Sequence, residues 1–294
     1  MLLRTVFRGQ LTINLSKRYR STLRAEAIVK PLHQSKVYTD HRSPGERRSY
    51  GSPLALADGR TVRFEIADER DTDLIAGQFI DGFIRQSSVF RAINATREDL
   101  HDIMYDLTEQ VLPSGGTLLA FNEDKLAGFR LVRYVQHDEI PKLYGPLSKP
   151  GDPPAVPFFP EDYGNLIDSM PWKGFASKLL AAIMYVPEHQ MGKFLPHDIK
   201  NLAFGEIINV HDDFQGYQIG TYLSALSEKM AIENDCNYVA NITIATASSK
   251  IAEKKGYKVL YSQPYDKFYI HGKLLFQNLY DGATESRLNL GKLE

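Results

Sequence analysis

GEIINVHDDFQGYQIGTYLSALSEKMAIENDCNYV, Gly205 to Val239, is the stretch whose reading decides the fold. Glu206 to Val210 is a short apolar run of strand type. His211-Asp212-Asp213 turns the chain, and Ile219, Tyr222, Leu223, Leu226 and Met230 then recur at helical spacing up to a stop at Asp235–Asn237. A second strand is expected over Tyr238 to Ile244. The unit is strand, glycine-bearing loop, helix, strand. Helix-opening amides lack intrahelical partners and lie at the positive end of the helix dipole, so Gly216 and Gly220 would let a pyrophosphate approach them. A plain strand-to-helix turn has the same outline. The pattern is not a P-loop, because no Gly-Lys-Ser/Thr closes it, and it comes too late in the chain to be a dinucleotide fingerprint.

Outward from this unit, the chain has 294 residues, 43% hydrophobic and 24% charged, enough for one core of roughly 200 to 250 residues with appendages. A net charge of −1 gives no electrostatic case for nucleic acid or an anionic membrane as partner. Cys236 stands alone and cannot form an internal disulfide. The histidines show no metal-ligand spacing, so no metal is expected, and no apolar run is long enough to span a bilayer.

Residues 1–30 are arginine-rich, hold several Ser and Thr, and have no acid before Glu26. Leu3, Phe7, Leu11 and Leu15 share one helical face. That make-up suits a mitochondrial presequence, with a disordered basic tail in a cytoplasmic protein as the alternative. Residues 31–60 lack periodicity and read as linker, leaving 61–294 as the folded domain.

Val62, Phe64 and Ile66 alternate as in a half-buried strand. Asp71 or Thr72 can cap a helix carrying Leu74, Ile75, Phe79, Ile80 and Phe83, and a second helix is expected over Arg97 to Val111. Thr117–Phe121 and Leu126–Val135 read as hairpin strands. The seven prolines between Pro141 and Pro160 exclude long regular elements from the insertion 136–170, which reads as a lid or a surface elaboration. A helix from Phe175 to about Val186 precedes the central strand. Thr246 to Lys255 reads as a short helix closed by Gly256, with a strand from Tyr257 to Ser262.

The loop Gln215-Gly216-Tyr217-Gln218-Ile219-Gly220 resembles the acyl-CoA loop of the GCN5-related N-acetyltransferase (GNAT) superfamily, Arg/Gln-x-x-Gly-x-Gly/Ala. Gln215, Ile219 and Gly220 fit, whereas Gln218 stands where the first glycine is usual. Lys254-Lys255-Gly256-Tyr257 matches a second family step. Tyr261 to Asp266, His271 to Phe276 and Glu285 to Leu293 are similar to the arylalkylamine and dopamine N-acetyltransferase branch.

The resemblance implies a GNAT fold of α/β (α+β) class, a mixed sheet of six to seven strands flanked by helices, in a monomer or homodimer. It implies acetyl transfer from acetyl-CoA to a small primary amine, arylalkylamine-like by preference, by direct attack in a ternary complex. Ile208, Asn209, Val210, Gln215, Gly216, Tyr217, Gln218, Ile219, Gly220 and Thr221 would hold the cofactor. Glu206 would be the base, its carboxyl raised by apolar neighbours, or would merely pair with a lysine or face solvent. His211 is the fallback base. Ser248, with Ser249 behind it, would protonate the CoA thiolate or simply cap its helix. Amides of Ile208 and Val210 would steady the oxyanion. The insect enzymes carry a glutamate after the first helix, where this chain has Arg85-Gln86-Ser87-Ser88. A CoA-binding protein without turnover is therefore the alternative.

Overall fold

The computed structural model describes residues 36–43 and 45–294. Residues 1–30, read as a presequence, lie outside them. Ten strands are described. These are β1 (Leu54–Ala55), β2 (Thr61–Ile66), β3 (Leu118–Asn122), β4 (Lys125–Val135), β5 (Leu202–Val210), β6 (Tyr238–Thr243), β7 (Lys258–Pro264), β8 (Tyr269–Ile270), β9 (Lys273–Leu274) and β10 (Glu285–Lys292). The helices are α1 (Thr72–Gln86), α2 (Ser88–Ala92), α3 (Arg97–Val111), α4 (Ile140–Tyr144), α5 (Gly164–Ser169), α6 (Phe175–Glu188), α7 (Ile219–Glu233) and α8 (Thr246–Lys254).

Eight strands form one mixed sheet in the order β1-β2-β3-β4-β5-β6-β10-β7, and β8 and β9 form a separate pair. Among the described strands only β5 and β6 run parallel, the pairing expected when α7 crosses from one strand to its neighbour. The main core, with Phe79, Phe90, Met104, Phe129, Leu179 and Phe204, lies between one sheet face and α1, α3 and α6. On the opposite face Phe64, Leu118, Ile219, Leu223 and Met230 pack under α7. Because helices cover both faces, β4 is buried along most of its length, arginine included.

Several local readings of the sequence are met closely. Helix α3 spans Arg97–Val111, its start fixed by a capping box in which Thr96 and Asp99 satisfy each other's amides. Gly256 follows α8 at φ +71°, the left-handed step a helix end favours. The sheet has one strand more than the upper expectation, because β1 adds an edge.

The described part of the stretch read as linker, from Lys36 on, is built into the domain. The Arg47 guanidinium, buried, meets Asp40 at 2.6 Å, Asp71 at 2.5 Å and Glu65 at 3.3 Å. Tyr38 is buried and its hydroxyl donates to Asp81. Asp71 therefore does not cap α1 with its side chain, because both its oxygens serve Arg47 and Arg42. The insertion 136–170 is tied down at both ends, by Ile140 and Tyr144 and by Tyr163 and Ile167 in the core. Asp162 accepts from the amides of Gly164, His271 and Gly272, which joins the insertion to the β8–β9 turn. Between those ends Val156 and Phe158 are exposed.

Candidate active site

Two irregularities of β5 create the site. Strands β5 and β6 pair only from Leu202↔Tyr238 to Gly205↔Asn241, after which they part. Against β4, Leu131 faces Ile207 and Val132 faces Gly205, so Glu206 is the extra residue of a β-bulge. The gap beyond the bulge is a cleft enclosing about 60 Å³, walled by Glu206 to Ile208 and by Ile242 to Ile244. Ser224 of α7 and Ser248, Ile251 and Ala252 of α8 close one side, while Phe83, Leu180 and Met184 close the other. The opening thus passes through the sheet.

The direction of the β5 amides follows from its register. His211 N donates to Ala127 O at 2.9 Å, one step beyond the Val210↔Gly128 pair. In an antiparallel ladder, alternate residues exchange bonds with the partner strand, so His211, Asn209 and Ile207 face β4. The amides of Ile208 and Val210 point towards the cleft. The Val210 carbonyl, on the same edge, accepts from Gln86 at 3.1 Å and Gln215 at 3.4 Å.

At the mouth the chain turns into α7. Gly216 has φ +83° and Gln218 φ +63°, so both occupy the left-handed region that the turn requires. The first helical bond runs from Tyr222 N to Gln218 O at 3.0 Å. Among the described residues, no amide from Gly216 to Thr221 donates to a protein acceptor. A run of unspent donors therefore opens α7, with no acid in its first turn. Beside it, Leu54 to Ala57 and Gly216, Tyr217, Gln218, Thr221 and Tyr222 border an open hollow of about 530 Å³. Ile219 is buried in the core under α7, and Gly220 stands where α7, β5 and α8 converge.

Not every residue proposed for the cofactor faces it. The Asn209 side chain is turned away, buried against Gly82 and accepting from Gln78 Nε2 at 3.2 Å. Gln215 folds its amide back onto Val210 O and Asp212. Ser248 does line the cleft, and its hydroxyl donates to Ala245 O at 2.9 Å. His211 is buried rather than superficial, accepts from Asp213 N, and has its pKa lowered by that burial.

Glu206 is 6% exposed and its carboxylate meets Arg133 Nε at 2.9 Å. The partner is thus an arginine from β4, not a lysine. Burial raises the Glu206 pKa, with Arg133 opposing. The last residue of α6, Glu188, extends the group: burial first, then the charge of Glu206, push its carboxyl up to about 8 against the pull of Arg133. Two carboxyls raised by burial, one paired to Arg133 and the other within reach of both charges, make the α6 side of the sheet a place that can hold and release a proton.

On the α7 side the cleft holds Arg130, 5% exposed, whose Nε has no hydrogen-bond partner. The sequence reading missed Arg130, Arg133 and Glu188. The available signal was two arginines inside KLAGFRLVRYV, a strand otherwise apolar enough to be central.

No protein-family model matches the chain. No curated protein matches it either. Solved structures do. An arylalkylamine N-acetyltransferase 2 from Aedes aegypti superposes with a TM-score of 0.58 at 14% identity, over 79% of this chain and 99% of that one. A polyamine N-acetyltransferase from Drosophila melanogaster, an enzyme that forms N-acetylagmatine, gives 0.57 at 9% identity over 79% and 100%. An agmatine N-acetyltransferase variant in its apo form gives 0.58 at 9% over 79% and 99%. The fold is that of the GCN5-related N-acetyltransferases. The similar structures include one of an arylalkylamine enzyme, the branch the C-terminal motifs resemble, and one of an agmatine enzyme.

Proposed function

We propose that the protein is an acyl-CoA-dependent N-acyltransferase that moves an acetyl group from acetyl-CoA to a small primary amine, arylalkylamine-like by preference. The observation that carries this reading is the separation of β5 from β6 beside a run of unspent amides. The amides of Gly216 to Thr221 would hold the pyrophosphate, and the hollow bordered by Tyr217 and Leu56 would leave room for the nucleotide end. The pantetheine arm would lie along Ile208 and Val210. Phe83, Leu180 and Met184 give the acceptor side apolar walls suited to an aromatic or alkyl group.

An alkylamine is mostly protonated at neutral pH, so a proton must leave before attack. Glu206, with Glu188 behind it, would accept that proton. The free amine nitrogen would then bond to the thioester carbon, and the developing oxyanion would be held by the Ile208 or Val210 amide. As the C–S bond breaks, the CoA thiolate would take a proton from the Ser248 side.

One observation favours a second reading, in which CoA binds without turnover: Glu206 is already ion-paired to Arg133, and the stretch Arg85-Gln86-Ser87-Ser88 at the end of the first helix supplies no acid to replace it. Thiol release from acetyl-CoA across a panel of aryl and alkyl amines separates the two. We expect turnover with at least one amine, lost by roughly 100-fold or more in Glu206→Gln. Acetyl-CoA bound in a calorimeter with no thiol released for any amine would establish the second reading instead.

A further inference from the structure

The cleft has a cation at its closed end. Gly205 and Asn241 form the last rung of the β5–β6 pairing, so Gly205 marks the apex at which the strands part. The Arg130 side chain, coming from β4, lies over Gly205 so closely that a Cβ at 205 would stand 2.7 Å from the guanidinium carbon. Glycine is what admits the guanidinium there. From that apex to Val210 is five residues of strand, about 17 Å, and the open amides of α7 lie at the far end. A ligand whose phosphates sit at the mouth therefore directs its other end towards Arg130.

This guanidinium has no counter-ion of its own. Arginine stays protonated even when buried, and an unpaired charge inside a protein is costly unless something satisfies it. The two acids whose charge reaches it are committed elsewhere. Glu228 takes Lys255 Nζ at 2.5 Å and the Tyr257 hydroxyl, and Glu206 takes Arg133. No carboxylate lies within ion-pair distance of Arg130 among the described residues, and its Nε is an orphan donor. A methyl group at the apex would leave that cost in place. A carboxylate, whose two oxygens match the guanidinium fork, would remove it.

We propose that Arg130 makes the cleft selective for acyl thioesters that end in a carboxylate, of the three- or four-carbon dicarboxylic class, in preference to acetyl. The inference rests on the acyl-transfer reading, keeps its chemistry and puts a carboxyl-bearing acyl group in the place of acetyl as the preferred donor. The reaction balances as before. The amine nitrogen bonds to the thioester carbon and its proton passes to the Glu206 side, the C–S bond breaks, and CoA leaves as a thiolate that is then protonated. The product is an amide with a free carboxylate at its far end.

The test titrates CoA, acetyl-CoA, malonyl-CoA and succinyl-CoA into the full chain by calorimetry, then repeats the series with Arg130→Met and Arg130→Lys. For the native chain we expect malonyl-CoA or succinyl-CoA to bind about tenfold or more tightly than acetyl-CoA. Arg130→Met should bring that ratio close to one, and Arg130→Lys should keep part of it. Should either variant fail to fold, the ratio in the native chain decides alone. Equal affinities, or a preference that survives in folded Arg130→Met, would overturn the inference. Acetyl-CoA bound and consumed while the carboxyl thioesters are refused would sink this inference and leave acyl transfer standing. If no CoA species binds, both fall together.

Discussion

Gln218 and Gly220 separate what the loop between β5 and α7 needs for folding from what it would need for binding a phosphate. Gln218 holds φ +63° with a full side chain, a conformation that costs an L-residue about 1–2 kcal/mol and costs glycine almost nothing. Gln218→Gly should therefore raise the unfolding free energy by about 1 kcal/mol, read from the urea midpoint at constant slope. An unchanged or lower midpoint would mean that the glutamine side chain has a compensating contact in solution. Gly220 is the reverse case. A Cβ there would meet Ile251, Ile208 and Val210 at 3.4 to 3.6 Å, ordinary contact, so Gly220→Ala should fold at least as stably as the native chain. The same methyl would project between the cleft walls, and we expect acetyl-CoA affinity to fall while the melting point holds. The two substitutions should thus move stability and affinity independently. That follows from the geometry of the loop and not from the family signature, which has glycine at the first place and admits glycine or alanine at the second.

At the scale of elements, the legible parts were those set by local chemistry. The capping box before Arg97 and the glycine after Lys255 each fix a helix end through atoms a few residues away, and the sequence shows both. The β5–loop–α7 unit was legible for the same reason. The segment before Thr61 was not, because it folds through ion pairs that carry no periodicity. Arg47 gathers Asp40, Glu65 and Asp71, acids spread over more than thirty positions of the chain. Arg130 and Arg133 were overlooked for a related reason. Alternation suggests that polar residues of a strand face water, whereas β4 has helices over both faces. Breaking one member of such a group leaves its partners charged and buried. Arg47→Met should accordingly lower the unfolding free energy by about 3–5 kcal/mol, and removing residues 1–60 should abolish cooperative unfolding. A shortened chain beginning at Thr61 that melts as sharply as the whole would show that the network is dispensable.

Over the whole molecule, titration ties the site to the stability of the fold. Asp40 and Asp162 have pKa values lowered from 3.8, Asp40 by Arg47 and Asp162 by the amides of Gly272, Gly164 and His271. Their stabilisation is present above that value and is lost as the pH falls through their folded pKa. His211, buried, and His189, whose ring is partly desolvated, have pKa values lowered from 6.5 and likewise favour the fold when neutral, a contribution lost as the pH falls below that value. Glu188 works in the opposite sense. Its pKa rises from 4.5 to about 8, so the stability it contributes is complete below 4.5 and disappears as the pH climbs through 8. Because several groups titrate over one range, the native curve alone cannot assign this limb. The difference between the native chain and Glu188→Gln can: it should be constant below pH 4.5 and decline between 4.5 and about 8, measured by urea unfolding at closely spaced pH values. In the proposed reaction the same proton would set the catalytic limb, so the reaction rate with a weakly basic amine should rise over the interval in which stability falls. On that proposal the site would be least comfortable in its folded surroundings when it is most ready to act. A flat difference curve would mean that Glu188 ionises as it would in water, and Glu206 would then have to take the amine proton without its neighbour.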